Sequence, residues 1–171
     1  WKEGGADNYV VDEETGYMTL YGSGIVTNYL FKKGRLAFDF ESINLTGEDW
    51  IEFNMWPNSG NTNFHLHFYA NKESNFTCGG SGLNWTQKTF TWTSEQTNVV
   101  KKIEFLVVNK EEDSNALVLK LIIDGVEVAV LDNNITDPYA TEPGAPVYFR
   151  MHTTNKASNF TVKSITWEPV E

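Results

Sequence analysis

A single cysteine, Cys78, leaves the chain nothing to pair within itself. An intrachain disulfide framework is excluded, and a packed core has to hold 171 residues together. Basic charge is scarce: 13 Lys and Arg face 23 Asp and Glu, a formal net charge of −10. Nucleic acid and anionic membrane surfaces both require basic footprints, so neither is an expected partner. No apolar run approaches the roughly 18 residues of a membrane span. Long helical periods are missing as well, and Pro and Gly fall in clusters between apolar segments rather than inside them. Cys78 itself sits before Gly79-Gly80-Ser81-Gly82, which reads as a flexible turn and not as the setting of a nucleophile.

What is present is aromatic and strand-forming. Phe, Trp and Tyr make up 14% of the chain, with abundant Asn and Thr. The pattern predicts strands at Tyr17–Tyr21, Arg35–Ile43, Trp50–Trp56, Asn63–Tyr69, Lys88–Thr93, Lys102–Val108, Leu117–Asp124, Val126–Leu131, Val147–Thr153 and Phe160–Trp167. Asp124-Gly125 between two β-branched runs fits a tight hairpin. Many short strands with turn residues between them mean an all-β sandwich or barrel. No repeat or internal boundary divides the chain, so residues 1–171 are read as one domain. Asn-x-Thr triplets at Asn44, Asn75, Asn84, Asn134 and Asn159 are read as by-products of this composition rather than as glycosylation signals.

Three strands share an unusual outward register. In Trp50–Trp56, Ile51, Phe53 and Met55 point inward and Trp50, Glu52, Asn54 and Trp56 outward. In Asn63–Tyr69 the outward set is Asn63, His65, His67 and Tyr69; in Val147–His152 it is Tyr148, Arg150 and His152. All three histidines and one of the two arginines therefore lie on the side that is normally Thr, Ser, Lys and Glu. Flat aromatic rings stack on the C–H faces of sugars, and planar polar groups reach the hydroxyls. Trp50, Trp56, Tyr69 and Tyr148 are the candidate stacking residues. Glu52, Asn54, Asn63, His65, His67, Arg150 and His152 are the candidate hydroxyl ligands. Trp85, in the Gly- and Asn-rich loop, is a rim candidate, whereas Phe90, Trp92 and Trp167 read as core. Neutral imidazoles at such a site predict that affinity falls below about pH 6.

The order of the Asp124-Gly125 hairpin, the Pro- and Gly-rich turn Glu142–Pro146, the Arg150 strand and the closing Val162–Trp167 strand resembles the C-terminal half of concanavalin A-like jelly rolls. Gly34–Glu41 suits the same family. The resemblance implies a two-sheet antiparallel β-sandwich with ligands lying across one concave sheet, as in carbohydrate-binding modules, lectins and polysaccharide-degrading enzymes. It further implies a secreted, extracellular or cell-surface location. The expected function is non-catalytic binding of a polysaccharide or oligosaccharide, by a monomeric module excised from a larger protein and working beside its other modules. No cofactor is expected to be required. The acidic turns Asp12-Glu13-Glu14 and Asp132–Asp137 are candidate structural calcium sites.

Other readings compete with this one. Trp50 and Trp56 covered by a long loop, Asn71–Trp85, would instead form a minor core, as in an adhesin or structural β-sandwich without a sugar site. His65-x-His67, with Glu52 and His152, can be read as metal ligands, and Gly60–Gly79 loosely resembles the first cupin motif with Glu73 displaced. Arg150, His65 and Tyr148 match the residue types, though not the motifs, of polysaccharide-lyase-like relatives. Hydrolysis needs two carboxylates on one face. The Glu-x-Asp-x-x-Glu strand of laminarinase-like enzymes is absent, and Asp39 and Glu41 lie on another strand, so the chain is expected not to be an enzyme.

Overall fold

The computed structural model describes residues 2–3, 9–22, 24–26, 30–55, 63–79, 86–136, 147–152 and 157–170. At some strand positions, among them Met55, Asn63 and Arg150 to His152, the description is of the backbone alone. The strands are β1 (Lys2–Glu3), β2 (Tyr9–Val11), β3 (Met18–Leu20), β4 (Gly24–Val26), β5 (Gly34–Asn44), β6 (Trp50–Met55), β7 (Asn63–Tyr69) and β8 (Glu73–Gly79). There follow β9 (Thr86–Thr91), one short helix α1 (Ser94–Asn98), β10 (Lys102–Lys110), β11 (Asp113–Ile123), β12 (Val126–Thr136), β13 (Val147–His152) and β14 (Asn159–Glu168). They form two seven-stranded sheets, one ordered β1-β4-β13-β6-β7-β8-β9 and the other β12-β11-β10-β5-β14-β3-β2. Neighbouring strands run antiparallel in both. The predicted all-β sandwich is what the chain forms.

The inward halves of the alternating strands meet between the sheets. Phe53 of β6 lies edge-on to Phe38 of β5 with ring centroids 4.8 Å apart. Phe38 also meets Phe149 of β13 at 5.3 Å, and Phe53 meets Phe105 of β10 at 5.5 Å. Ile51, Leu66, Phe68 and Phe76 from the first sheet, with Leu119, Leu121 and Phe160 from the second, complete a continuous core. Each such side chain contributes about 1.5–3 kcal/mol by leaving water. Asp124 and Gly125 turn β11 into β12 with positive φ of 47° and 80°, the conformation that the Asp-Gly pair was expected to supply.

Several expectations are corrected. Cys78 is not in a flexible turn: it is an inward residue of β8, 2% exposed, and burial pushes its thiol up to about 12. Within the segment expected to cover the tryptophans, Glu73–Gly79 form β8, hydrogen-bonded to β7 along the sheet, and residues 80–85 lie outside the described residues. Trp167 is not a core residue: it is 40% exposed at the penultimate position of β14, one edge against Phe31. Register shifts on either side of Val162 displace the alternation of that strand, and its last turn of pleat runs past the packed centre. Phe90 and Trp92 do pack on the core, though only partly buried.

The helix α1 escaped sequence reading because one turn carries no period. Its signal is the capping box: Thr93 Oγ1 accepts from Gln96 N, and Thr93 N donates to Gln96 Oε1. The helix start also holds the β7–β8 turn. Asn71, at φ 59°, accepts from Ser94 N at 2.8 Å and donates its amide to Ser94 Oγ, while Thr97 Oγ1 donates to the Tyr69 carbonyl.

Candidate functional site

Strand register builds the outward face of the first sheet in rows. One row sets His152 opposite Trp50 and Trp50 opposite Tyr69. The next runs Arg150, Glu52, His67, Asn75 and Thr89. The third runs Tyr148, Asn54, His65, Thr77 and Gln87. Neighbours within a row stand about 4.8 Å apart and rows roughly 6–7 Å apart. The residues singled out from the sequence on β6, β7 and β13 thus share one patch. Asn63 closes a further row opposite Gly79. Asn63, Arg150 and His152 are placed by backbone alone; Trp56 and Trp85 lie outside the described residues.

The centre of this face is less solvated than the alternation predicts. Glu52 is 6% and Asn54 2% exposed, against the expectation that both face solvent. Strand alternation reports only which side a residue takes. Exposure depends on what its lateral neighbours do, which the alternation of one strand does not report. Asn54 Nδ2 donates to Glu52 Oε1 at 3.4 Å, while Asn54 Oδ1 is buried without a hydrogen-bond partner among the described residues.

The rings form a chain of contacts across the patch. Trp50 and Tyr69 lie 5.3 Å apart at 30°, Trp50 and His67 6.4 Å at 56°, and His65 and His67 6.2 Å at 88°. Lys72 Nζ stands 5.3 Å from the centre of the Tyr69 ring. Burial holds the His65 imidazolium below its ordinary pKa; the neighbouring His67 adds to the shift and Glu52 opposes it. Burial likewise raises Tyr69, helped by the negative charges of Glu52 and Glu48. The ligating atoms of Glu52, His65 and His67 all lie within 4.8 Å of one another.

Sequence reasoning missed Asn75 and Thr77 of β8, half-buried beside His67 and His65, and Lys72 at the rim. The signal was present: Ser74, Phe76 and Cys78 point inward and Asn75 and Thr77 outward. The glycines after Cys78 obscured it. Glu73, the displaced cupin-type ligand, is exposed at the start of β8 and is not part of the cluster. Asp39 and Glu41 belong to β5 in the other sheet, so Glu52 does not gain a second carboxylate from them. Of the candidate calcium turns, Asp12 Oδ1 accepts three hydrogen bonds from Glu14 and Thr15, and Asp132 accepts from Lys110 Nζ at 2.8 Å. Asp137 lies outside the described residues.

No protein-family model and no curated protein matches the chain. Solved structures do. A Bacillus licheniformis β-glucanase aligns with a TM-score of 0.65 at 10% identity, over 96% of this chain and 84% of that one. A laminarinase from Flavobacterium sp. UMI-01 gives 0.60 at 11%, over 94% and 81%. A legume lectin-like domain from Entamoeba histolytica gives 0.61 at 11%, over 95% and 87%. Glycoside hydrolases recur among the matches, which also include a lichenase and a transglycosylase. That recurrence overturns the expectation that the chain is not an enzyme. A missing linear motif was its ground, and the shared scaffold is one on which glucan hydrolysis is carried out. With two antiparallel seven-stranded sheets and these neighbours, the chain has the concanavalin A-like jelly-roll fold.

Proposed function

We propose that the chain binds a polysaccharide or oligosaccharide, of glucan type, across the outward face of the β13–β6–β7–β8 strands. The observation that carries the reading is the composition of one continuous patch. Trp50 and Tyr69 lie beside each other, their rings tilted by 30°, with Glu52, Asn54, His65, His67, Asn75 and Thr77 in the adjoining rows. Rings supply contact area at small entropy cost, and the polar groups, fixed by two flanking strands each, are pre-organised for hydroxyls. The β-glucanase and lectin-like neighbours support a carbohydrate as the ligand. Arg150, His152, Asn63, Tyr148 and Trp56 extend the proposed contact set. On this reading the chain works outside the cell or on its surface, as one module of a longer protein.

Calorimetric titration with soluble β-1,3- and mixed-linkage gluco-oligosaccharides tests this. Saturable binding that Tyr69→Ala weakens about tenfold, the equivalent of one aromatic contact of roughly 1.4 kcal/mol, is expected. Absence of binding to every oligosaccharide would remove the reading.

The hydrolase neighbours favour a second reading, in which the same face cleaves what it binds. Glu52 is then the candidate proton donor, because it is the carboxyl group in the middle row of the patch, opposite His67. Release of reducing ends from β-glucan, abolished in Glu52→Gln with oligosaccharide binding retained, is the expected result. Equal release by both proteins, or none by either, would exclude it.

A further inference from the structure

We propose that Glu52, His65 and His67 form a binding site for one divalent transition-metal ion, zinc by its donor chemistry, at the centre of the outward face of the first sheet. His65 and His67 are two apart on β7 and therefore on the same side. Glu52 stands directly opposite His67 on β6, one pair from His65. Their ligand atoms already lie within 4.8 Å of one another. Zinc bonds of about 2.0–2.1 Å in a tetrahedron set neighbouring donors roughly 3.3–3.4 Å apart, so side-chain torsions alone have to close the remainder.

The backbone under the three residues is held on both sides. β6 pairs with β13 and β7, and β7 pairs with β6 and β8. Such a frame keeps the ligand set from spreading when the ion is absent, which reduces the ordering cost of binding. Asn54 Nδ2 donates to Glu52 Oε1, the kind of outer hydrogen bond that orients a ligating carboxylate. Two imidazoles and one carboxylate suit zinc and its neighbours in the first transition row; calcium and magnesium want oxygen-only shells. Three protein ligands are one fewer than a tetrahedral ion takes, so a saccharide hydroxyl oxygen would be a suitable fourth donor in the complex, a point that rests on the glycan reading, whereas the ion itself does not.

The test uses the full chain, stripped with a chelator and dialysed. It is titrated with zinc by calorimetry and with cobalt(II) by visible ligand-field absorption. One ion per chain is expected, with zinc shifting the ring resonances of His65 and His67 in the wild-type NMR spectrum. The His65→Ala/His67→Ala double variant should bind at least a hundredfold more weakly, since even outer-shell changes cost about 10–100-fold. A second variant, Glu52→Gln, leaves both imidazoles in place and should lose about tenfold or more; melting curves report whether each variant folds. No stoichiometric uptake of either metal, unmoved histidine resonances, or unchanged affinity in a folded double variant would overturn the proposal. Polysaccharide retardation is measured on the metal-free and zinc-loaded protein in parallel. Retardation without zinc uptake overturns the ion and leaves the glycan reading standing; zinc uptake without retardation supports the ion and removes the glycan.

Discussion

Glu52 and Asn54 show how far single residues can be read from a strand. Their side of β6 follows from alternation with Ile51 and Phe53, and the structure places them on it. Their burial does not follow, because it is set by neighbours on other segments whose register no local pattern reports. Cys78 failed for a related reason: four of the residues after it suit a turn, and only the inward Ser74 and Phe76 before it assign it to a strand. Burial raises its thiol to about 12, so at pH 8 it is protonated as well as covered. A thiol-specific disulfide reagent should modify it at least about a hundredfold faster in denaturant than in buffer; equal rates would contradict the burial. His65 has a folded-state pKa lowered from 6.5, chiefly by burial. Its contribution to stability is therefore complete above pH 6.5 and is lost as pH falls through the lowered value, where the unfolded chain binds the proton first. Urea melts in the presence of a chelator should show a stability loss between pH 7.5 and pH 5 that is smaller in His65→Asn. An identical loss in both proteins would assign the pH dependence elsewhere.

Among elements, the long strands were legible and the short or irregular ones were not. β6, β7 and β13 carry clean alternation between an apolar core side and an aromatic-polar side, and their predicted spans meet in one sheet. β2, β4 and α1 are too short to display a period, and β8 is masked by its glycines. The rows themselves depend on pairing across β13, β6, β7 and β8, which is tertiary information. The turn Ala70 to Lys72 is where one such pairing is fixed. Asn71 occupies φ 59° and exchanges hydrogen bonds with Ser94, and the hairpin carries Tyr69, tied further by Tyr69 N donating to Ser74 Oγ at 2.9 Å. Asn71→Ala removes the side-chain bonds and places a less tolerant residue at positive φ. A loss of about 1–3 kcal/mol in unfolding free energy is expected. Asn71→Gly, which keeps the backbone at ease, should lose less; a reversed order would show that backbone strain at positive φ contributes little.

At the scale of the molecule, the sandwich follows from the count and spacing of alternating strands together with the Asp124-Gly125 hairpin, and its core is the aromatic contact of Phe38, Phe53, Phe105 and Phe149 between the sheets. Function is less legible, because this scaffold hosts both glucanases and lectin-like domains, and chemistry resides in a few side chains on one face. The missing Glu-x-Asp-x-x-Glu run argued against catalysis from a linear motif, whereas a catalytic role is decided by groups assembled across strands. The central claim, that this face holds a glycan, is tested most directly by affinity electrophoresis. Wild type and Trp50→Ala are run through gels containing plant, fungal and bacterial polysaccharides, with and without EDTA, beside melting curves of both proteins. The account predicts that at least one β-glucan retards the wild type, and that Trp50→Ala, still folded, loses most of that retardation. A wild type that migrates freely in every gel, or a folded Trp50→Ala retarded as strongly as wild type, would contradict it.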